Sequence, residues 1–528
     1  MPSTTSISTG SASILAFVAV LACYTIPISG GDGLAMNPNE LSRLLLVTAI
    51  TEEGSLSVDQ PAEVYGTSED RAEREGKTYS DKAPGLSLLS APFTAVLKAF
   101  LPREEGSAYP SYWPLRNILT WLLVALPASM LPFVMLRGDP AAGDHRGPAV
   151  ALIFALATPL LTYGTLFFGH VPAAVLCALA WRLALRPGLP RIALPPGSAA
   201  ICGLLAGFAV TMEYPTILIC AVLFGTLLLR RAGAKVLSSF VGGAVAGLLP
   251  LLLYNQLAFG SPFAMGYAFE AHSYFQSIRG QALFGVSAPT VEGLWGALFS
   301  ARRGIIYYCP LFLLVPIGLA GLARRSRGDA APLIVASAAY IAFVAGLADW
   351  DGGWCAATRH LIPIVPLWIY PVAESFILAQ RATWTRLLFA ALAGISLSHA
   401  VLSVAFSPFF PGLFPVPLVQ VTLLSLMQGA VMPSWLGGLV AMAPIVLATL
   451  WIGLAVAAMA VAISIGLAHA GRRRVLLATM AAAIVLDLGV EWALQPPRTP
   501  DQESMRADLL ERLGYPDLAN KGIDVRKP

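Results

Sequence analysis

LVAMAPIVLATLWIGLAVAAMAVAISIGLA, residues 439–468, runs for thirty positions without one charged side chain. A helix needs about 20 apolar residues to cross the hydrocarbon core of a bilayer, and this stretch has residues to spare. The same rule selects twelve further stretches, near 12–30, 113–136, 148–166, 168–187, 198–214, 216–230, 236–258, 304–323, 331–348, 360–378, 386–406 and 473–494. The sequence therefore reads as an all-α integral membrane protein with about 11–13 transmembrane helices. The range reflects the short turn near 166–168 and the Pro-rich stretch 408–438, which is expected to lie against the membrane surface.

Composition points the same way. Of 528 residues, 56% are hydrophobic and 12% are charged, against roughly 25% charged in a soluble domain. So few charges cannot cover a soluble surface, and most of the exterior must face lipid. The net charge of +4 is scattered. With no basic stripe interleaved with aromatics, nucleic acid is not expected as a partner. The six cysteines form no CxxC pair and read as small buried hydrophobes.

Basic residues give an orientation, because loops on the cytoplasmic side carry the excess of Lys and Arg. Arg137, Arg146, Arg182, Arg186, Arg191, Arg230, Arg231, Lys235, Arg324, Arg325, Arg327, Arg381, Arg386 and Arg472 to Arg474 fall in every second loop. The short loops between them hold one basic residue, Arg359. The N-terminus is therefore expected in the cytoplasm, with the first span a signal anchor. Residues 1–494 form one transmembrane unit. The long loops 31–112 and 259–303 and the tail 495–528 are expected to be extracytoplasmic, in a bacterial inner membrane.

Several pieces then stand out: Asn39–Arg43, Glu52–Asp59, YSDKAPG at 79–85, Gly169-His170, Tyr254-Asn255 with Phe259–Pro262, FSARRG at 299–304, and GGWCAATRHLIP at 352–363. Their order resembles bacterial membrane glycosyltransferases of the GT-C fold, relatives of protein O-mannosyltransferases and lipid A aminoarabinose transferases, and most closely the glycosyltransferase family 39-like group. The resemblance covers about residues 35 to 370. It implies a GT-C-like bundle with a large extracytoplasmic first loop. It also implies a sugar moved from a polyprenyl-phosphate carrier to a glycan, lipid or protein acceptor, with an acidic residue after the first span as general base. Two departures are visible: Asn39 stands where relatives often carry the first acid of a pair, and Ala83 replaces a proline after the lysine.

The residues support that chemistry by themselves. Transfer from a lipid phosphate has an anionic leaving group, so the site needs fixed positive charge near the bilayer surface and a carboxylate to take the acceptor proton. Glu40 is the expected base. Lys82, Arg359, Arg303 and Arg302 are the expected phosphate ligands, since arginines on the outer side run against the usual bias. Asp81, His170, His360, Glu53 and Asp59 stand in reserve, with Asp32, Glu213 and Tyr214 behind them. Tyr109, Tyr112, Trp113, Trp350 and Trp354 suit sugar stacking or an interfacial belt equally. Asp487, inside the last span, is expected to face the bundle and be paired.

No cofactor is called for. No phosphate loop, no HExxH and no His/Cys cluster at metal-ligand spacing is present, so no metal site is assigned, and a divalent ion held by loop carboxylates is left open. The rival readings are a transporter or lipid flippase, or a non-catalytic relative of the fold. Polar residues gathered at the outer surface rather than the midplane favour surface chemistry over transport.

Overall fold

The computed structural model describes residues 9–30, 37–138, 143–185, 194–280, 282, 284–467 and 472–519. Asp32, Arg186 and Arg191 lie outside them. Each of the thirteen apolar stretches contains helix within those residues. Helix α1 (Thr9–Thr25) and α2 (Pro38–Thr48) lead to a hairpin of β1 (Arg71–Arg74) and β2 (Lys77–Ser80), then α3 (Gly85–Leu97). Next come α4 (Tyr112–Leu136), α5 (Gly143–Leu156), α6 (His170–Leu185), α7 (Pro196–Met212), α8 (Ile217–Leu229) and α9 (Ala234–Phe259). The second long loop carries α10 (Val291–Phe299), followed by α11 (Val315–Arg325), α12 (Arg327–Ala345) and α13 (Arg359–Ala379). The last third is α14 (Thr383–Ala405), α15 (Leu418–Met427), α16 (Pro444–Gly466), α17 (Arg473–Leu494) and α18 (Pro500–Arg512).

Helices α4, α9, α12, α13, α14, α16 and α17 are long and apolar enough to cross a membrane, and the chain is a multi-pass membrane protein. Their depth in the bundle differs widely. Buried residues make up 89% of the most apolar window of α13 and 11% of that of α17. The first is a central helix; the second lies on the outside. Close packing rests on small residues: a Cβ on Gly203 or Gly207 of α7 would come within 1.9 and 2.1 Å of carbonyls of α9. Such spacing lets two helix backbones touch where lipid provides no hydrophobic drive.

The expected span 148–166 does not run as one helix. α5 ends at Leu156, and 157–169 crosses the interior as irregular chain with one short turn, Leu160–Tyr163, before α6 begins at His170. Unwound backbone at such a place must find its partners inside the protein. Glu40 Oε1 accepts from the Phe167 amide at 2.7 Å, and Arg116 reaches the Thr165 carbonyl at 3.4 Å. The interruption therefore depends on side chains from α2 and α4.

The run Leu41–Ile50 is apolar enough to read as a short interfacial amphipathic helix, yet α2 is buried on every side. Its polar residues meet ion partners within the protein, so its amphipathic pattern serves internal pairing and not a lipid boundary. The stretch 408–438 packs against the C-terminal segment. Leu509 and Leu510 of α18 and Leu513 just past its end pack with Phe406, Phe414, Val421, Ala430 and Met432, and Tyr515 holds the Val431 amide and carbonyl.

The long loops meet at one end of the bundle. Ala72 of β1 bridges Glu270, and the Ala271 amide donates to the Arg71 carbonyl at 3.0 Å. On the other flank Val286 bridges Leu347, and the Ala348 amide donates to the Gly285 carbonyl.

Candidate functional site

The hairpin creates the first half of the site. Glu75 and Gly76 turn it with φ of 52° and 74°, the left-handed pair that a two-residue hairpin needs. The resulting register sets Arg71 opposite Ser80, which leaves Asp70 and Asp81 side by side just beyond the last pair. Lys82 Nζ sits 2.8 Å from Asp81 Oδ2 and 3.1 Å from Asp70 Oδ2. All three are buried. Burial works against the Lys82 charge, but Asp70 and Asp81 outweigh it and hold the ammonium above the usual lysine range. Burial pushes the Asp81 carboxyl up, with Lys82 pulling the other way.

The second long loop completes the cluster. The Ala72–Glu270 bridge brings Glu270 to the hairpin, and burial with the neighbouring Asp81 charge pushes its carboxyl up to about 8. Gly266 lies against the Asp81 backbone, where a Cβ would come within 2.9 Å of Asp81 Cα. Arg279 stands 4.3 Å above the Tyr267 ring and 3.3 Å from Asp349. Burial would raise the Asp349 carboxyl, yet Arg279 and His360 hold it below its ordinary value.

Arg359 is the first residue of α13. Its stem passes over Gly352, whose φ of 69° and missing side chain leave room; a Cβ there would be 2.9 Å from Arg359 Cγ. The guanidinium lies 6.0 Å from the Phe168 ring. It has no carboxylate within ion-pair distance among the described residues, and its Nε is buried without a hydrogen-bond partner. His360 Nε2, Asp81 Oδ1, Glu270 Oε1, Asp349 Oδ1 and Arg279 Nε are in the same condition. His360 and His170 face each other with ring centroids 6.1 Å apart. Glu213 joins Arg43 at 2.9 Å and His170 at 3.5 Å. Glu213 lies in the electrostatic field of Arg359 and Lys82 as well.

The remaining expected residues lie apart or are held by other partners. Glu40 is 2% exposed. Its Oε1 is held by Arg116 at 2.5 Å and by the Phe167 amide. Arg303 is buried, and its guanidinium donates to the carbonyls of Arg302, Gly353 and Phe410. Arg302 pairs with Asp351. Glu53 accepts from the Tyr109 hydroxyl at 2.6 Å, and Asp59 takes the Thr78 amide at 3.1 Å. Both residues are exposed.

Sequence reasoning passed over Asp70, Glu270, Arg279 and Asp349. For Asp70 a signal existed: it stands as far before the Glu75-Gly76 turn as Asp81 stands after it. For Glu270 and Arg279 only the folded contact reveals the role.

No family model and no curated protein matches the chain. Among solved structures it is similar to ArnT from Cupriavidus metallidurans in the apo state, at 15% identity and a TM-score of 0.48, with 96% of this chain and 86% of that one covered. The same protein bound to undecaprenyl phosphate gives 14%, 0.43, 95% and 84%. The Archaeoglobus fulgidus oligosaccharyltransferase in complex with Zn and sulfate gives 13%, 0.44, 74% and 53%. At such scores the likeness carries no weight for substrate or mechanism.

Proposed function

We propose that the chain is a membrane glycosyltransferase that moves a sugar from a polyprenyl-phosphate-linked donor to a hydroxyl acceptor on the extracytoplasmic face. The observation that carries this reading is the set of buried, unpartnered polar atoms on Asp81, Glu270, Arg279, Asp349, Arg359 and His360. A buried polar atom left without a partner costs about 1–3 kcal/mol, so a site that keeps several is built for a polar ligand.

Arg359 takes the donor phosphate. It is the cation of the cluster with no carboxylate in ion-pair contact among the described residues, and a guanidinium matches phosphate oxygens in a bidentate fork. Lys82 adds positive charge but is already countered by two aspartates, so it orients Asp81 and meets the phosphate second. The acceptor oxygen bonds to the anomeric carbon as the bond from that carbon to the phosphate oxygen breaks. The polyprenyl phosphate leaves with the electron pair, and the hydroxyl proton goes to a carboxylate.

We assign that carboxylate to Asp81, whose Oδ1 is buried and unpartnered and whose raised proton affinity suits a base. Glu40, with Oε1 engaged, keeps the role only through Oε2. Arg302 and Arg303 brace the loop that leads to Arg359.

The test is mass spectrometry of envelope glycans and glycolipids from wild type, a deletion, and the deletion complemented at equal protein level with Asp81→Asn, Arg359→Ala or Glu40→Gln. The expected result is a sugar missing from the deletion, restored by Glu40→Gln, and not restored by the other two. Restoration by Asp81→Asn with failure of folded Glu40→Gln would return the base to Glu40. An unchanged glycan profile in the deletion would contradict the transferase reading.

A further inference from the structure

Away from that site, a second cluster lies between α14 and α17. His399 Nε2 stands 2.8 Å from Asp487 Oδ2 and 3.8 Å from Glu491 Oε1, and the ligand atoms of the three all lie within 4.8 Å of one another. The other ring nitrogen, His399 Nδ1, is 2.8 Å from the Tyr307 carbonyl. A carbonyl only accepts, so Nδ1 must carry a proton and donate it. In the neutral ring, Nε2 then presents its lone pair to two carboxylates, which also offer lone pairs. Something positive must sit among them. Glu491 Oε2 is buried, with the Tyr307 hydroxyl as its neighbour and no hydrogen bond of good geometry.

We propose that His399, Asp487 and Glu491 bind a divalent cation of the zinc class as a structural clasp. An imidazole fixed through its far nitrogen by a backbone carbonyl, facing carboxylates, is the usual arrangement of a metal-binding histidine. Ligand distances of about 2.0–2.2 Å are reached by small side-chain movements about a central ion. The clasp has a mechanical purpose. Helix α17 buries only Leu476 and Met480 among its residues, so apolar packing holds it weakly. Asp487 and Glu491, one turn apart near its far end, tie it to α14 and to the Tyr307 segment. Tyr308 in turn donates to the Arg302 carbonyl at 3.2 Å, which links the clasp to the braced loop. The alternative occupant is a proton on the imidazole, which would make the cluster a plain ion pair.

The measurement uses the full chain purified in detergent, with metal content by inductively coupled plasma mass spectrometry and Co²⁺ titration followed by its visible absorption. The expected result is about one Zn²⁺ or Co²⁺ per chain in the wild type. We expect uptake lost in His399→Ala and weakened at least about tenfold in Glu491→Gln, with chelator lowering Tm in the wild type alone. Glu491→Gln leaves the His399–Asp487 contact intact, so it reads out even if His399→Ala fails to fold. A wild type that takes up neither ion, or variants that bind as well as wild type, would overturn the clasp.

Discussion

Two buried ion-pair clusters stand on the first long loop, and they differ in one respect. Glu40 with Arg116 is the more nearly closed: Oε1 meets a guanidinium and an amide, and Arg116 also reaches Asn117 and the Thr165 carbonyl, though its Nε is buried without a hydrogen-bond partner. Asp81 with Lys82 is open. Asp70 shares the lysine, Asp81 Oδ1 has no partner, and Glu270 and Arg359 bring further unpartnered atoms. A closed cluster holds the fold, here the unwound chain at 157–169. An open one keeps affinity in reserve for something that arrives. Proximity to the membrane and acidic character, the features visible in sequence, do not separate the two cases.

The comparison can be broken from either side. Asp81→Asn should lower the transfer rate by about 10²–10⁴-fold with little change in Tm, as expected for loss of a base. Arg359→Ala should cost about 10²–10³-fold in the same assay, again with stability retained. Glu40→Ala should do the opposite. Leaving Arg116 buried and unpaired is worth about 3–5 kcal/mol of stability, read as a large fall in Tm with the surviving protein still active. If Glu40→Ala were stable and inactive, the assignment of closed and open clusters would be reversed.

Smaller effects sharpen the picture. Gly266→Ala places a Cβ against the Asp81 backbone; backbone cannot swing away, so about 1–3 kcal/mol of stability should be lost along with activity. Glu270 supplies a pH signature. Its carboxyl is raised to about 8 in the folded chain, against a value near 4.3 in an unfolded one. The folded state therefore binds its proton more tightly. The stabilising contribution is complete below the unfolded value and is lost as pH rises to about 8. Tm measured from pH 5 to 9 should fall less steeply in Glu270→Gln than in wild type.

The membrane helices were legible because hydropathy over twenty residues is a local property, and each of the thirteen stretches contains helix. What interrupts them is not local. Thr158-Pro159 marks the stop at Leu156, but nothing local announces that the chain stays largely unwound to Gly169, because the side chains that satisfy that backbone come from α2 and α4. The site was legible in part. Lys82 and Arg359 drew notice as charges at membrane boundaries, while Glu270 and Arg279 reach the cluster only through the Ala72–Glu270 bridge. The His399 cluster shows the same limit: Asp487 and Glu491 share one face of α17, but their histidine lies 88 residues away from Asp487.

The most direct test of the central claim, that the open cluster receives a lipid phosphate, is native mass spectrometry of the purified chain with a polyprenyl phosphate and with the matching polyprenol. The account predicts that wild type retains the phosphate and not the alcohol, that Arg359→Ala weakens retention at least about tenfold, and that Glu40→Gln, where folded, retains it. Equal retention of phosphate and alcohol, or an Arg359→Ala variant that binds like wild type, would contradict it.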